Sequence, residues 1–335
     1  RYYALVAMDG DKFSEWVAGK RAPRMKWIFH PDLVEGEGKD PRIVEGVGSR
    51  LRPLGGGSHL ALSAVMKNYA LHVVRWAVEV QHAGKLIYAG GDDVIAFVPL
   101  RDLFSLLRTL RILFQGESFH ESAGGIHIEA GKGIATIEEE EGKHPILLAG
   151  GKNPRSDQVF QGPTASAGVA LIHESHPLPY AMVEALHHAM KGRAKDRLGR
   201  DAFALHLHRR SGEPVECGMK WFVPSRDESA GSFDILEELD AFVGWFDRDD
   251  ISSRLPYDMA RRIEIFHCER SEEELAWYLD ALREARPWYL DAQKEEFMRL
   301  LGRHTAETDE DTRREIRKHA ERLVEAVEEA ERLVV

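Results

Sequence analysis

The run Leu86-Ile87-Tyr88-Ala89-Gly90-Gly91-Asp92-Asp93-Val94-Ile95-Ala96-Phe97-Val98 sets two glycines and two aspartates between two apolar, β-prone stretches. Such a pattern predicts a β-hairpin whose tip has no use for a hydrophobic core. Gly90 and Gly91 allow the positive φ angles of a tight turn and the close approach of a bulky ligand to the backbone. Asp92 and Asp93 offer hard carboxylate oxygens at the tip, which suit Mg²⁺ or Mn²⁺. The same residues also fit an ordinary β-turn, since Asp-Gly turns are common. Two adjacent acids flanked by wholly apolar strands are unusual for that role.

A second stretch matches the first. Tyr2 to Met8 is an apolar strand that ends in Asp9-Gly10-Asp11. An acid-tipped strand with an acid-tipped hairpin is the layout of a palm domain, where carboxylates hold metal ions for nucleotidyl transfer. Asp9, Asp92 and Asp93 are therefore the main metal-ligand candidates, with Asp11 a further one and Gly10 a nucleotide contact between them. Asp92 and Asp93 are the catalytic pair. Lys191 and Lys195 are four apart and share one helix face, from which they could reach a nucleotide triphosphate. The other reading of these lysines is a basic helix C-terminus that complements the helix dipole.

Around these motifs the chain is organised as follows. Gly19 to Gly57 is rich in Gly, Pro and charge, and reads as a long loop or insertion. Ser58 is read first as the N-cap of a helix running to about Ala83, and second as an adenine contact. Leu62, Val65, Met66, Tyr69, Val73, Trp76, Ala77 and Val80 form the core face of that helix. A second helix is predicted over Leu103–Phe114, and a strand or strand pair over Gly125–Glu138. Ser166–Ile172 is a buried-type strand, Tyr180–Lys195 a helix and Ala202–His208 the last strand. This order predicts an α+β fold, a ferredoxin-like palm with helices on one face of a mostly antiparallel sheet. From about Phe233 the pattern turns helical: Ile235–Phe246, Pro256–Phe266, Glu272–Ala285, Trp288–Leu301 and Asp311–Leu333. The expected domains are a palm over residues 1–228, carrying the insertion at about 19–57, and an all-α helical bundle over 229–335. Arg313–Leu333 has only a thin apolar stripe of Ile316, Leu323, Val327 and Ala330, so a surface helix, or one awaiting a partner, is expected.

Composition narrows the function classes. Hydrophobic content of 43% and charged content of 30% are those of a soluble globular protein. No apolar run reaches the ~20 residues that span a bilayer, and no signal-peptide pattern opens the chain, so no membrane association is expected. Two cysteines, Cys217 and Cys268, provide neither a disulfide framework nor a four-cysteine zinc site, and a cytoplasmic setting is the simplest reading. A net charge of −11 argues against a generic, charge-driven nucleic-acid binder. The sixteen histidines include no His-Glu-x-x-His, and no His is followed directly by Asp. The absence of a Gly-x-x-x-x-Gly-Lys-Ser/Thr loop and of Gly-x-Gly-x-x-Gly removes P-loop NTPases and Rossmann dehydrogenases. The chain enters a strand directly after Arg1, which points to a fragment of a longer protein or a shortened one.

Three runs, ALVAMDGDKFSEWVAG, SHLALSAVMKNYA and LIYAGGDDVIAFVP, together resemble the cyclase palm of the large subunit of type III CRISPR effector complexes, of the Cmr kind. SAGVALIHESHPLPYAMVEALHHAMKGRAKD continues the resemblance, including Ala194-Lys195, and Asp250–Tyr257 resembles the start of that family's C-terminal helical domain. The resemblance implies a palm that makes cyclic oligoadenylate second messengers from ATP when its complex binds target RNA. It implies metal ligation by Asp9, Asp92 and Asp93, a nucleotide-shaping turn at Gly90-Gly91 and a phosphate contact at Lys195. It further implies partners in the other subunits, the crRNA and the target RNA. The nuclease domain, first palm and cysteine-rich zinc segment that usually precede this palm in the family do not occur in the chain. Because two palms usually build the product-forming site, this chain alone is expected to bind ATP and turn over poorly.

Two competing readings remain. A diguanylate cyclase also carries a Gly-Gly-acid-acid turn, but normally with Phe where this chain has Val94. A scaffold subunit with an inactive palm is the third, against which clustered, mutually repelling acids weigh.

Overall fold

In the computed structural model the described residues are 1–335 apart from 31–32, 34–39, 41, 117–118, 125, 132–133, 140–141, 149–150, 153–158, 161–162, 210–213, 225–231, 263–293, 307 and 335. They form a mixed α+β protein that divides into two compact units. A hairpin unit comprises Val6–Asp102 and Leu106–Ser166, and a C-terminal unit comprises Arg1–Leu5, Leu103–Ser105 and Ala167–Val335.

The strand expected at the start of the chain is β1, Tyr2–Gly10, and its residues Ala4 to Met8 are buried on both faces. That double burial explains its continuous apolar run, which an edge strand would not need. A short helix α1, Phe13–Val17, follows. Most of the described part of Gly19–Gly57 is irregular, with short helical turns at Met25–Trp27 and Arg42–Val47 and a single bridge between Arg24 and Leu51. Helix α2 runs over Gly56–Asn68 and continues through wide, π-type turns at Tyr69–Val74 and Ala77–Gln81. Val65, Met66, Tyr69, Val73, Trp76 and Ala77 are buried as the helical spacing predicts, but Ala70, Val74 and Val78 are buried as well, Leu62 is half-buried and Val80 is exposed. The start of α2 differs from expectation. Gly55 occupies the N-cap position, so Ser58 already lies inside the first turn and caps nothing.

The expected hairpin consists of β2, Lys85–Gly90, and β3, Asp93–Val98, paired antiparallel with Gly90 opposite Asp93. Helix α3, Leu103–Gln115, buries Leu106, Leu107, Leu110 and Leu113 and ends at Gly116, whose φ of 66° makes it a left-handed cap. Gly125–Glu138 resolves into a strand pair, β5 (Ile126–Gly131) and β6 (Ile134–Glu139). Two strands missed in the sequence flank it, β4 (Phe119–Ala123) and β7 (Gly142–Leu147), and all four form a separate antiparallel sheet.

In the C-terminal unit, β8 (Ala165–His173) leads into helix α4, which runs over Leu178–Val183 and continues in wide turns over Glu184–Arg197. Strand β9, Ala202–Leu207, returns parallel to β8, the arrangement of a β-α-β crossover. The helix sits close because its contact face is built from small residues. A Cβ at Gly168 would fall 2.2 Å from Ala185 O and Met190 N. Ala189, Ala194, Leu198, Ala202 and Ala204 share one buried cluster. Ala202–His208 is not the last strand: β10, Val215–Lys220, pairs antiparallel with β9. Its mixed sequence and half-buried residues throughout are those of an edge strand, which carries little hydrophobic signal. The six-stranded sheet has the order β10-β9-β8-β1-β3-β2.

A small hairpin, β11 (Phe222–Pro224) with β12 (Ser232–Asp234), precedes the helices. Helix α5, Ile235–Asp247, is capped by Asp234, whose carboxylate accepts from Leu236 N at 3.0 Å. Helices α6 (Leu255–Arg262), α7 (294–304) and α8 (Glu310–Val334) follow. The expected helix Glu272–Ala285, the first part of Trp288–Leu301 and the domain boundary at 228/229 lie outside the described residues. Helix α8 corrects the expectation of a surface helix. Ile316, Ala320 and Val324 are fully buried in a cluster with Phe242, Trp245, Ile251, Leu255, Phe297, Leu300 and Leu301. Glu238, 2% exposed on α5, accepts from Arg322 at 2.7 Å and pairs with His319, while Arg314, Glu315, Arg317, Lys318 and Glu321 of α8 stay exposed. Among the described residues no helix is long and apolar enough to cross a membrane.

Candidate functional site

The acid-tipped strand and the acid-tipped hairpin come together in the hairpin unit. β1 and β3 are neighbours in the sheet, so Asp9 and Gly10 end beside the turn Gly91-Asp92. The approach is close: a Cβ at Gly10 would lie 2.8 Å from both Cβ and Oδ2 of Asp92. Only glycine fits between the tip of β1 and that carboxylate. Gly91 has a φ of 64°, while Asp92 is not among the positive-φ residues, the Gly-first signature of a II′ hairpin turn. Asp9 and Asp92 are half-buried and Asp93 is exposed, so water or a ligand reaches the acidic tip.

Asp11 is placed differently. It is 4% exposed, and both its oxygens accept hydrogen bonds, Oδ1 from Ser166 Oγ at 2.7 Å and Oδ2 from Thr164 Oγ1 at 2.9 Å. Its backbone N–H also donates to Thr164 O at 2.7 Å. The carboxylate thus clamps the entry of β8 to the end of β1. The next residue, Lys12, has a φ of 52° and turns the chain into α1.

Beneath the tip, Tyr69 of α2 is fully buried. Its hydroxyl donates to Leu110 O at 3.0 Å and lies 4.0 Å from the sulfur of Met8, the residue before Asp9. Burial pushes this phenol well above its ordinary range, so it serves as a neutral support.

Alongside the tip runs a groove of about 540 Å³, within the range of small-molecule sites. Its walls include Phe13 and Val17 of α1, Ala89, Gly90 and Gly91 of the hairpin, and one face of α2. Tyr88 lies over Gly90, since a Cβ there would meet its hydroxyl at 2.3 Å. His59, Ser63 and Lys67 recur every four residues along α2 and line the groove together with Met66 and Ala70. This polar stripe escaped the sequence reading, which attended to the apolar face of the same helix. Ser58, the residue singled out there, does not line the groove. Lys195 is half-buried on α4 in the C-terminal unit; Lys191, one turn earlier, is exposed.

Hard carboxylate oxygens at an accessible turn, with backbone room kept by Gly10, fit a divalent ion. Among the described residues, ligand atoms already gathered within 4.8 Å form two groups, His120–His127–Glu129 and Glu184–His206–His208. Neither includes Asp9, Asp92 or Asp93.

Fold and tip together define a palm-type domain with a Gly-Gly-Asp-Asp turn. Residues 2–142 match the family model described as Cas10/Cmr2, second palm domain. A curated relative, the CRISPR system Cmr subunit Cmr2 of Pyrococcus furiosus, is 28% identical over 212 residues, covering 63% of this chain and 19% of its own length. Two solved type III-B Cmr-beta structures are similar in fold, each over 84% of this chain. One, in the apo state, has a TM-score of 0.51 and 16% identity over 33% of its chain. The other, bound to cognate target RNA, has 0.52 and 14% over 34%. The expected resemblance to a Cmr-type large subunit therefore holds, and the chain spans about a fifth of the curated relative's length.

Proposed function

We propose that this chain is the ATP-using palm of a type III CRISPR effector subunit, a metal-dependent nucleotidyltransferase that makes cyclic oligoadenylates. On this reading a ribose 3′-hydroxyl of one ATP attacks the α-phosphate of another and pyrophosphate leaves. The observation that carries the reading is the contact of Gly10 with the Asp92 side chain, which sets two acidic tips against each other beside a groove of nucleotide size. Asp9, Asp92 and Asp93 would hold two Mg²⁺ or Mn²⁺ ions, which when bound neutralise phosphate charge and lower the pKa of the attacking hydroxyl.

The protein's own part is alignment. Phe13 and Val17 offer an apolar wall for a base, and Gly90 and Gly91 let phosphate approach the backbone. Lys67 supplies a cation within the groove, and Lys195 is a further phosphate contact implied by the family. Asp11 acts through its clamp on Thr164 and Ser166, keeping Asp9 and Gly10 in place. The proposal also takes residues 1–228 as a ferredoxin-like palm and 229–335 as a helical bundle that meets other subunits, crRNA and target RNA. A cytoplasmic setting follows from that role.

Calorimetry of ATP and of GTP in Mn²⁺, on this chain and on Asp92→Ala/Asp93→Ala, tests the reading. Adenine-selective binding that the double variant loses is the expected result. A preference for GTP would move the chain to the diguanylate cyclases, and no binding by either chain would leave a scaffold palm.

A further inference from the structure

The Glu184–His206–His208 group has no part in the nucleotide reading and lies wholly in the C-terminal unit. His206 in β9 and His208 just past its end are two residues apart, so their imidazoles leave the same face of the strand. His208 N continues the parallel ladder by donating to Leu171 O at 2.8 Å, which fixes that orientation. Helix α4 brings Glu184 onto the same face. His206 and His208 are 1% and 6% exposed.

A single carboxylate oxygen, Glu184 Oε2, lies 3.4 Å from His206 Nδ1 and 3.1 Å from His208 Nε2. Bonds of about 2.0–2.1 Å to one tetrahedral ion would leave neighbouring donor atoms about 3.3 Å apart. The far side of each ring also faces a polar group. His208 Nδ1 is 3.1 Å from the Tyr180 hydroxyl. His206 Nε2 is 3.6 Å from Glu216, which Arg193 contacts at 3.2 Å. Metal-bound imidazoles turn their second nitrogen to such partners, which fix the ring and its tautomer. In the protein alone His206 Nε2 is buried without a hydrogen bond, an arrangement that packing does not reward.

We propose that Glu184, His206 and His208 bind one divalent transition ion of the Zn²⁺ type, with water as a fourth ligand. Two imidazoles and a carboxylate suit such an ion better than Mg²⁺. The site ties α4 to β9 and so fixes the helix that carries Lys195.

Co²⁺ is the probe. Titrated into the full chain, one equivalent is expected to give the visible d–d bands of a tetrahedral site, to be displaced by Zn²⁺ and to raise Tm. His208→Asn is expected to abolish the bands, and Glu184→Gln carries the same test should that variant not fold. His127→Ala, which breaks the exposed His120–His127–Glu129 group, is expected to keep them. A folded wild-type chain that binds neither ion overturns the proposal, as does binding that survives His208→Asn and is lost in His127→Ala.

Discussion

The hairpin tip and the histidine group are both clusters of charged or titratable side chains, but they are built in opposite ways. At the tip, Gly90, Gly91, Asp92 and Asp93 are contiguous, and one turn presents both acids. The histidine group gathers Glu184 from a helix with His206 and His208 from a strand, across 22 and 24 residues of chain. The tip is accessible, whereas the histidines are buried and share the carboxylate of Glu184. An exposed acid at a turn, as Asp93 is, can be removed at little cost to the fold, which is the condition for a site kept for chemistry. Buried groups that complete each other cannot, so the second cluster is bound up with stability.

Removing Glu184 should sharpen this contrast most. Glu184→Ala leaves two buried imidazoles without their shared carboxylate, and a loss of about 3 kcal/mol is expected in denaturant unfolding. A loss below about 0.5 kcal/mol would make the group incidental, because that is the range of ordinary surface substitutions.

Gly10→Ala comes next. Its Cβ would overlap Asp92, so either β1 or the hairpin tip must shift, at about 2 kcal/mol for such overpacking. Mn²⁺-ATP affinity should fall with it. Unchanged affinity in a folded variant would show that the approach of the two tips is not what builds the site.

The difference in construction also decides what the sequence could reveal. β1, the β2–β3 hairpin and α3 were legible because each is a contiguous apolar pattern bounded by acids or glycine. The spacing His206-Leu207-His208 was visible too, but it acquires meaning only when a strand puts both rings on one face and a helix covers them. The stripe His59-Ser63-Lys67 needed the groove to give it a role. Ser58 misled because Gly55 begins α2 one turn early, where the sequence offers no polar side chain to cap it. Helix α8 misled because its buried line runs Ile316, Ala320, Val324, and alanine and valine between charged neighbours look like a thin stripe. Strands β4, β7 and β10 are short and partly solvated, so side-chain periodicity says little about them.

Asp11 tests where the acidic tip ends. Asp11→Ala should cost about 2 kcal/mol, because the buried Ser166 hydroxyl and the half-buried Thr164 hydroxyl lose their acceptor. Asp11→Asn keeps an acceptor for Ser166, and the Thr164 hydroxyl can rotate to accept from the new amide. It should therefore lower Mn²⁺ affinity far less than Asp9→Asn. Equal losses in the two variants would make Asp11 a ligand and extend the site to three positions along β1.

The smallest expected effect concerns the residue that joins clamp to groove. Lys12 holds a φ of 52° without being glycine, an αL conformation that costs an L-residue about 1–2 kcal/mol. Glycine removes that cost but gives the unfolded chain more freedom to lose. The net gain expected for Lys12→Gly is about 0.5 kcal/mol in stability. Binding should move the other way. Lys12 fixes the direction in which α1 carries Phe13 and Val17 to the groove wall, and a looser joint should weaken Mn²⁺-ATP binding a few-fold while Tm rises. A variant that gains stability and binds ATP as well as before would place the strain outside the function, and leave the wall of the groove to be set by α2 alone.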